Sequence, residues 1–356
     1  MNPEVLSLLF SFAVLVLIPF VIVFVVWTVR RRFSSSSVAV IDLFRGGTLA
    51  IAITVLITLA ICIIFSWTGY FEAHFYRPSK GDNRAQAELS LNPHPVSFQS
   101  ADGTSLQGWL LPSETAAIGT VIYFQGSDLN ITYTSRHVAW LTRHGLHVFV
   151  FDYRGYGQSD GTPSRQGLIE DCDAAIEYIA NRSGLTPGRI ILYGQSMGGQ
   201  LAINAATRRQ DADIQLVISE ATYARHSYHL SDKLGRLGPL WLVKWGGWLL
   251  TSDGFSGESA IAELTSTPVL LIHGDADVGV SPYHSDRLYL RAGGPKEIWR
   301  YKGYGHLRIF DDESNRERLV MRIRQALPKI EEDLYPSRGS ESSGEREPPV
   351  TRDLKP

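Results

Sequence analysis

The stretch Arg189-Ile190-Ile191-Leu192-Tyr193-Gly194-Gln195-Ser196-Met197-Gly198-Gly199-Gln200-Leu201-Ala202-Ile203-Asn204-Ala205-Ala206 decides the fold. Its first five residues form a short apolar run and its last seven favour a helix. Between them, Gly-x-Ser-x-Gly reads as a nucleophile elbow, a sharp and strained strand-to-helix turn that needs small neighbours and aims the serine hydroxyl into a cleft.

Outward from this turn, residues 95–100 and 105–111 flank Ala101-Asp102-Gly103, which predicts a hairpin. Apolar runs at 120–124, 147–151, 189–193, 215–219, 268–272 and 297–301 then alternate with helical stretches. One such stretch carries Leu168, Ile169, Cys172, Ala175, Ile176, Ile179 and Ala180 at spacings of three and four. The pattern predicts an α/β fold, antiparallel at its start and then parallel, with helices on both faces.

A serine hydroxyl is a weak nucleophile, so the elbow needs an imidazole base and a third group to hold that imidazole. In a doubly wound hydrolase architecture the partners follow in the order serine, acid, histidine, at the carboxyl ends of later strands. After the run at 268–272, His273-Gly274-Asp275-Ala276-Asp277-Val278-Gly279-Val280 offers two carboxylates, and spacing leaves Asp275 and Asp277 both open. After the next strand, Gly303-Tyr304-Gly305-His306-Leu307 makes His306 the base candidate; the other histidines precede the serine, lie in an insertion, adjoin the acid or sit on the next helix. Backbone donors for an oxyanion are expected from Met197, directly after the serine, and from the loop Gln125-Gly126-Ser127. Asp152, Arg154 and the glycines around them read as a loop held by side-chain hydrogen bonds. His226 and His229 lie three apart with no third ligand nearby, so neither a metal nor a cofactor is expected.

At 356 residues and 44% hydrophobic, the chain has ample material for a large core. A net charge of -2, from 34 basic and 36 acidic residues, gives no field to attract nucleic acid, which is excluded as a partner. Cys62 and Cys172 form neither a disulfide framework nor a metal-ligand pattern.

Residues 5–29 and 46–70 are nearly all apolar, each long enough to cross a hydrocarbon core of about 30 Å. A cleavable signal peptide fits the first poorly, because it has no basic residues before it and basic residues after it. Arg30, Arg31, Arg32 and Arg45 lie between the two runs against a single Asp42, so this loop is expected inside. The expected organisation is a membrane anchor at 1–70, a catalytic domain at 71–334 and a disordered tail at 335–356, rich in Ser, Gly, Glu and Pro. The domain is expected on the periplasmic or extracellular side of a bacterial inner membrane.

With these residues laid out, the chain resembles the serine hydrolases of the α/β-hydrolase superfamily, in the membrane-anchored ABHD-type and serine aminopeptidase-like branch. The resemblance covers about residues 75–334. It rests on Phe75-Tyr76-Arg77-Pro78, on the run from Phe151 to Gly161, on the elbow, on His273-Gly274-x-x-Asp277-x-x-Val280 and on Gly305-His306. It implies the α/β-hydrolase fold with a helical cap, Ser196 as nucleophile, His306 as base, Asp277 rather than Asp275 as acid, and Ser127 with Met197 as the oxyanion donors. One departure stands out: the family usually has His-Gly-Asn where this chain has Gln125-Gly126-Ser127, which puts in question the contact that histidine makes.

The insertion at 221–267 occupies the cap position. Within it Trp241, Trp245 and Trp248 fall on one helical face, packed on the domain itself, lining an acyl pocket or dipping into the lipid interface. The expected substrate is a small-molecule or lipid-like acyl ester, thioester or amide. Peptidase activity on amino-terminal residues would require an acidic pocket, for which the cap offers Asp232, Asp253 and Glu258, and a third reading is a binding module with residual catalysis.

Overall fold

The computed structural model describes residues 75–80, 93–185, 189–236 and 247–328, together with Phe24, Thr28, Lys244 and six positions between 52 and 60. Eight strands form one sheet: β1 (His94–Gln99), β2 (Ser105–Leu111), β3 (Gly119–Phe124), β4 (Leu146–Asp152), β5 (Ile190–Gln195), β6 (Ile214–Glu220), β7 (Val269–Gly274) and β8 (Lys296–Tyr301). Their spatial order is β8-β7-β6-β5-β3-β4-β2-β1. The β1–β2 hairpin and the β2–β4 pair are antiparallel, and every other pair is parallel. The hairpin turns at Asp102-Gly103, where Gly103 takes φ 85° and the Asp102 side chain accepts from the Thr104 N–H.

The apolar runs are buried on both sides because helices cover both faces of the sheet. Alternate residues of each central strand feed different clusters: Ile122, Phe149 and Leu192 face one layer, while Val121, Val150 and Ile191 face the other. The first layer is closed by α1 (Arg165–Ala180), α2 (Met197–Arg208), α4 (Gly257–Glu263) and α5 (Tyr283–Arg291), the second by α6 (Glu313–Ala326). The remaining longer helix, α3 (His226–Gly235), lies in the inserted cap. Each fully buried aliphatic side chain in these layers contributes about 1.5–3 kcal/mol of transfer free energy.

The strand order reverses at β3: the chain moves to one side for β4 and to the other for β5. Ligands bind at such switch points, beyond the carboxyl ends of the strands. Register aligns those ends, pairing Phe124 with Gly194, Gln195 with Glu220, and Glu220 with Ile272. The loops after β3, β5, β6 and β7 therefore meet at one edge.

The apolar runs at 5–29 and 46–70 and the tail at 335–356 lie almost wholly outside the described residues, as do Cys62, Trp241 and Trp245. Among the described residues, no helix is long and apolar enough to cross a membrane.

Candidate active site

Ser196 follows β5 and directly precedes the first residue of α2, with φ 53° and ψ -117°. An L-residue held there costs about 1–3 kcal/mol and persists because its surroundings over-determine it. Its N–H donates to the Glu220 carbonyl at 2.8 Å, and its carbonyl accepts from the Gly199 N–H. The glycines are required by close approach. A Cβ on Gly194 would lie 2.1 Å from the Gly198 carbonyl oxygen, and one on Gly198 would lie 1.9 Å from that of Phe124. The helix can thus start hard against β3, with the Met197 N–H at its first turn, where no intrahelical acceptor is available.

Asp277 and His306, 29 residues apart, are brought together: His306 Nδ1 lies 2.7 Å from Asp277 Oδ2. With the Nδ1 proton donated to the carboxylate, Nε2 keeps its lone pair for a substrate-side proton. The other oxygen of Asp277 accepts from the N–H groups of Gly279 (2.7 Å) and Val280 (2.9 Å). Burial pushes the Asp277 carboxyl up, but bonds from His273, His306 and Val280, with the His306 charge, hold it well below the usual carboxylate range. Asp275 sits elsewhere, its exposed carboxylate accepting from the Gly303 N–H at 2.6 Å and so bracing the loop that carries His306.

The loop after β3 lies directly across from the serine, since a Cβ on Gly126 would be 3.7 Å from Ser196 Cβ. Ser127 follows it, half-buried, with its carbonyl accepting from the Arg77 N–H and the Tyr156 hydroxyl. Gln125 turns inward and is 1% exposed. Its Nε2 donates to Asp152 Oδ1 (3.3 Å), its Oε1 accepts from Thr134 Oγ1 (2.8 Å), and its carbonyl accepts from the Tyr153 hydroxyl (3.1 Å). Burial lifts the Asp152 carboxyl to about 6, against bonds from Ile131, Gln125 and Gln158.

Comparison with known proteins gives the family. Residues 115–253 match the family described as serine aminopeptidase, S33. YfhR of Escherichia coli is 35% identical over 260 residues, covering 71% of this chain and 87% of that protein. The chain belongs to the α/β-hydrolase serine hydrolases. WAV2 of Arabidopsis thaliana, an α/β-hydrolase domain-containing protein, is 31% identical over 218 residues, covering 58% of this chain and 68% of that one. Among solved structures, a Pyrococcus furiosus esterase aligns at a TM-score of 0.57 with 21% identity, covering 71% of this chain and 97% of that one, a likeness of fold.

In this α/β hydrolase the Gln125 departure falls on a loop hydrogen bond, because the side chain is spent on Asp152 and Thr134. Arg154 is likewise committed, making two bonds from its side chain to Asp171 Oδ1 and further ones to Asp102, Ser100 and Glu170. Two neighbours of the site were given no role by the sequence reading. His273 places Nε2 3.2 Å from Asp277 Oδ2 and Nδ1 2.5 Å from Ser285 Oγ, so a second imidazole steadies the acid. Glu220, fully buried at the end of β6, accepts from the Tyr193 hydroxyl (2.5 Å) and Gln195 Nε2 (2.6 Å), and burial pushes its carboxyl up. An acid at the carboxyl end of the strand beside the elbow was the only signal for it. His226 Nε2 pairs with the Tyr223 hydroxyl at 3.2 Å, and His229 stacks on the Tyr223 ring. Among the described residues, no three His, Cys, Asp or Glu side chains group as a metal site.

Proposed function

We propose that this α/β hydrolase is a membrane-anchored serine hydrolase that cleaves an acyl ester, thioester or amide through an acyl-enzyme, with esters favoured. The observation that carries the reading is the Asp277–His306 contact of 2.7 Å, at the same edge of the sheet as a serine held on a strained elbow. His306 Nε2 takes the Ser196 hydroxyl proton as Oγ bonds to the acyl carbon. The oxyanion is received by the backbone N–H groups of Met197 and Ser127. The tetrahedral adduct collapses as the imidazolium, stabilised by Asp277, passes its proton to the leaving group. Water, deprotonated by His306, then attacks the acyl-serine, and Ser196 recovers its proton as the acid departs.

Several observations support the finer points. The similar fold of an esterase favours ester chemistry by analogy. The three cap carboxylates are occupied, Asp232 by His284, Asp253 by Ser227 and Glu258 by Arg225 and Arg287, which weighs against a pocket for a free α-amine. For the anchor, the support is the two apolar runs together with helical, exposed Phe24, Ile53, Val55, Leu56 and Ile57 within them. The arginine-rich loop then lies inside and the hydrolase domain, residues 71–334 with its cap at 221–267, on the periplasmic or extracellular face of a bacterial inner membrane.

The direct test is labelling of the detergent-solubilised protein with a fluorophosphonate. Wild type is expected to label and Ser196→Ala to lose all labelling; a folded wild type that does not label would overturn the enzyme reading.

A further inference from the structure

The segment that follows the apolar run at 46–70 does not join the domain at its base. It is sewn to the site. Arg77–Pro78 pairs in parallel with Asp128–Leu129, and the Arg77 N–H donates to the Ser127 carbonyl at 2.9 Å. The Ser79 carbonyl accepts from the Gly157 N–H and from Asn130 Nδ2. Phe75 packs edge-on against His226 and tilted against His229 of the cap helix α3. From the end of the apolar run at Tyr70 to Arg77 is a reach of at most about 25 Å, even fully extended.

Exposed apolar side chains lie near this junction. Val278, next to the acid, is 81% exposed, and Leu129, two residues past Ser127, and Trp248 of the cap are exposed as well. Isolated apolar side chains on a surface need no explanation, but Val278 and Leu129 come from two separate loops that border the site, the acid loop and the loop after β3. Beside them Lys233, its ammonium set over the Phe75 ring, lies close enough to Arg77, Arg236 and Asp128 to act on each electrostatically, and Arg77 pairs with Asp128. Arg236 also donates to the Val278 carbonyl, tying the end of α3 to the acid loop. Apolar and aromatic side chains interleaved with Lys and Arg suit an anionic lipid surface, where the stems and rings enter the interface and the charges meet head groups.

We infer that this rim docks on the anionic surface of the bilayer that holds the anchor, so that the site draws a bilayer-resident acyl ester directly from the membrane. The inference rests on the anchored-hydrolase reading above. A short tether at the mouth keeps the rim at the interface, and the apolar rim gives an acyl chain a path from lipid to Ser196 that avoids water.

The experiment uses the full chain in phosphatidylcholine vesicles with and without phosphatidylglycerol. Two rates are read, on a long-chain ester dissolved in the vesicles and on a water-soluble short-chain ester. A flexible Gly/Ser insertion of about thirty residues after Tyr70 is expected to lower the first rate about tenfold and leave the second unchanged, because effective concentration falls with tether length. The variant Lys233→Glu, which leaves the Arg236 bond to the acid loop in place, is expected to abolish stimulation by phosphatidylglycerol while soluble-ester turnover persists. If the protein stays in the vesicles through an alkaline carbonate wash and labels with fluorophosphonate, yet the ratio of the two rates ignores both changes, the inference is overturned and the reading beneath it survives. Loss of labelling, or release by the wash, overturns both.

Discussion

Two carboxylates two residues apart do different work because the turn after β7 points them in different directions. Asp277 faces inward and is saturated by two imidazoles and two backbone N–H groups, whereas Asp275 faces solvent and braces Gly303. In the proposed mechanism, Asp277→Asn removes the charge that stabilises the His306 imidazolium and disturbs its tautomer. Its kcat on a soluble ester is expected to fall about 10³- to 10⁴-fold with little change in KM. Asp275→Asn should stay within about threefold, since a surface loop contact is all it alters. Equal losses in the two variants would refute the assignment. No spacing argument distinguishes these residues; the family pattern did so through the position of Val280, whose N–H binds the chosen carboxylate.

At the scale of elements, the elbow is first a packing device. Gly198 lets α2 begin in contact with the β3 backbone, while Gly126 faces the cleft with room for a methyl group beside Ser196. Gly198→Ala is expected to destabilise the fold by about 3 kcal/mol or more, because the clash is with a carbonyl oxygen that cannot rotate away. Gly126→Ala should remain within about 1 kcal/mol of wild type, its Cβ meeting only ordinary van der Waals contact. Urea unfolding of both variants checks the ordering, and a reversal of it would sink the argument. The strands were legible to within one or two residues because central parallel strands are continuous apolar runs, and the Asp-Gly turn marked the hairpin. The exact ends were less legible: β5 runs on through Gly194 and Gln195, since ladder bonds to β3 and β6 hold residues that local propensity assigns to the turn.

At the scale of the whole molecule, the buried Asp152 links the folding equilibrium to pH. It ties the loop after β3 to the one-turn helix Ile131–Thr134 from the end of β4. Its folded pKa of about 6 lies above the ordinary value of 3.8, so the native state holds a proton that the unfolded chain releases. The resulting stabilisation is complete below about pH 4 and is lost as pH rises through about 6, a difference of about 3 kcal/mol. The Tm advantage of wild type over Asp152→Asn is therefore expected to shrink between pH 4 and pH 7. A constant gap across that range would refute it.

The sequence by itself determined the alternation of strands and helices, the elbow with its glycines, and the order serine, acid, histidine, because each is a local pattern set by backbone sterics and side-chain periodicity. It also determined the apolar runs ahead of the domain. Only the tertiary structure decided that Gln125 turns inward to Asp152, that His273 and Glu220 flank the triad candidates, and that Arg77 enters beside Ser127. Those contacts join residues far apart in the chain, and they form because strand register brings the loops to one edge of the sheet.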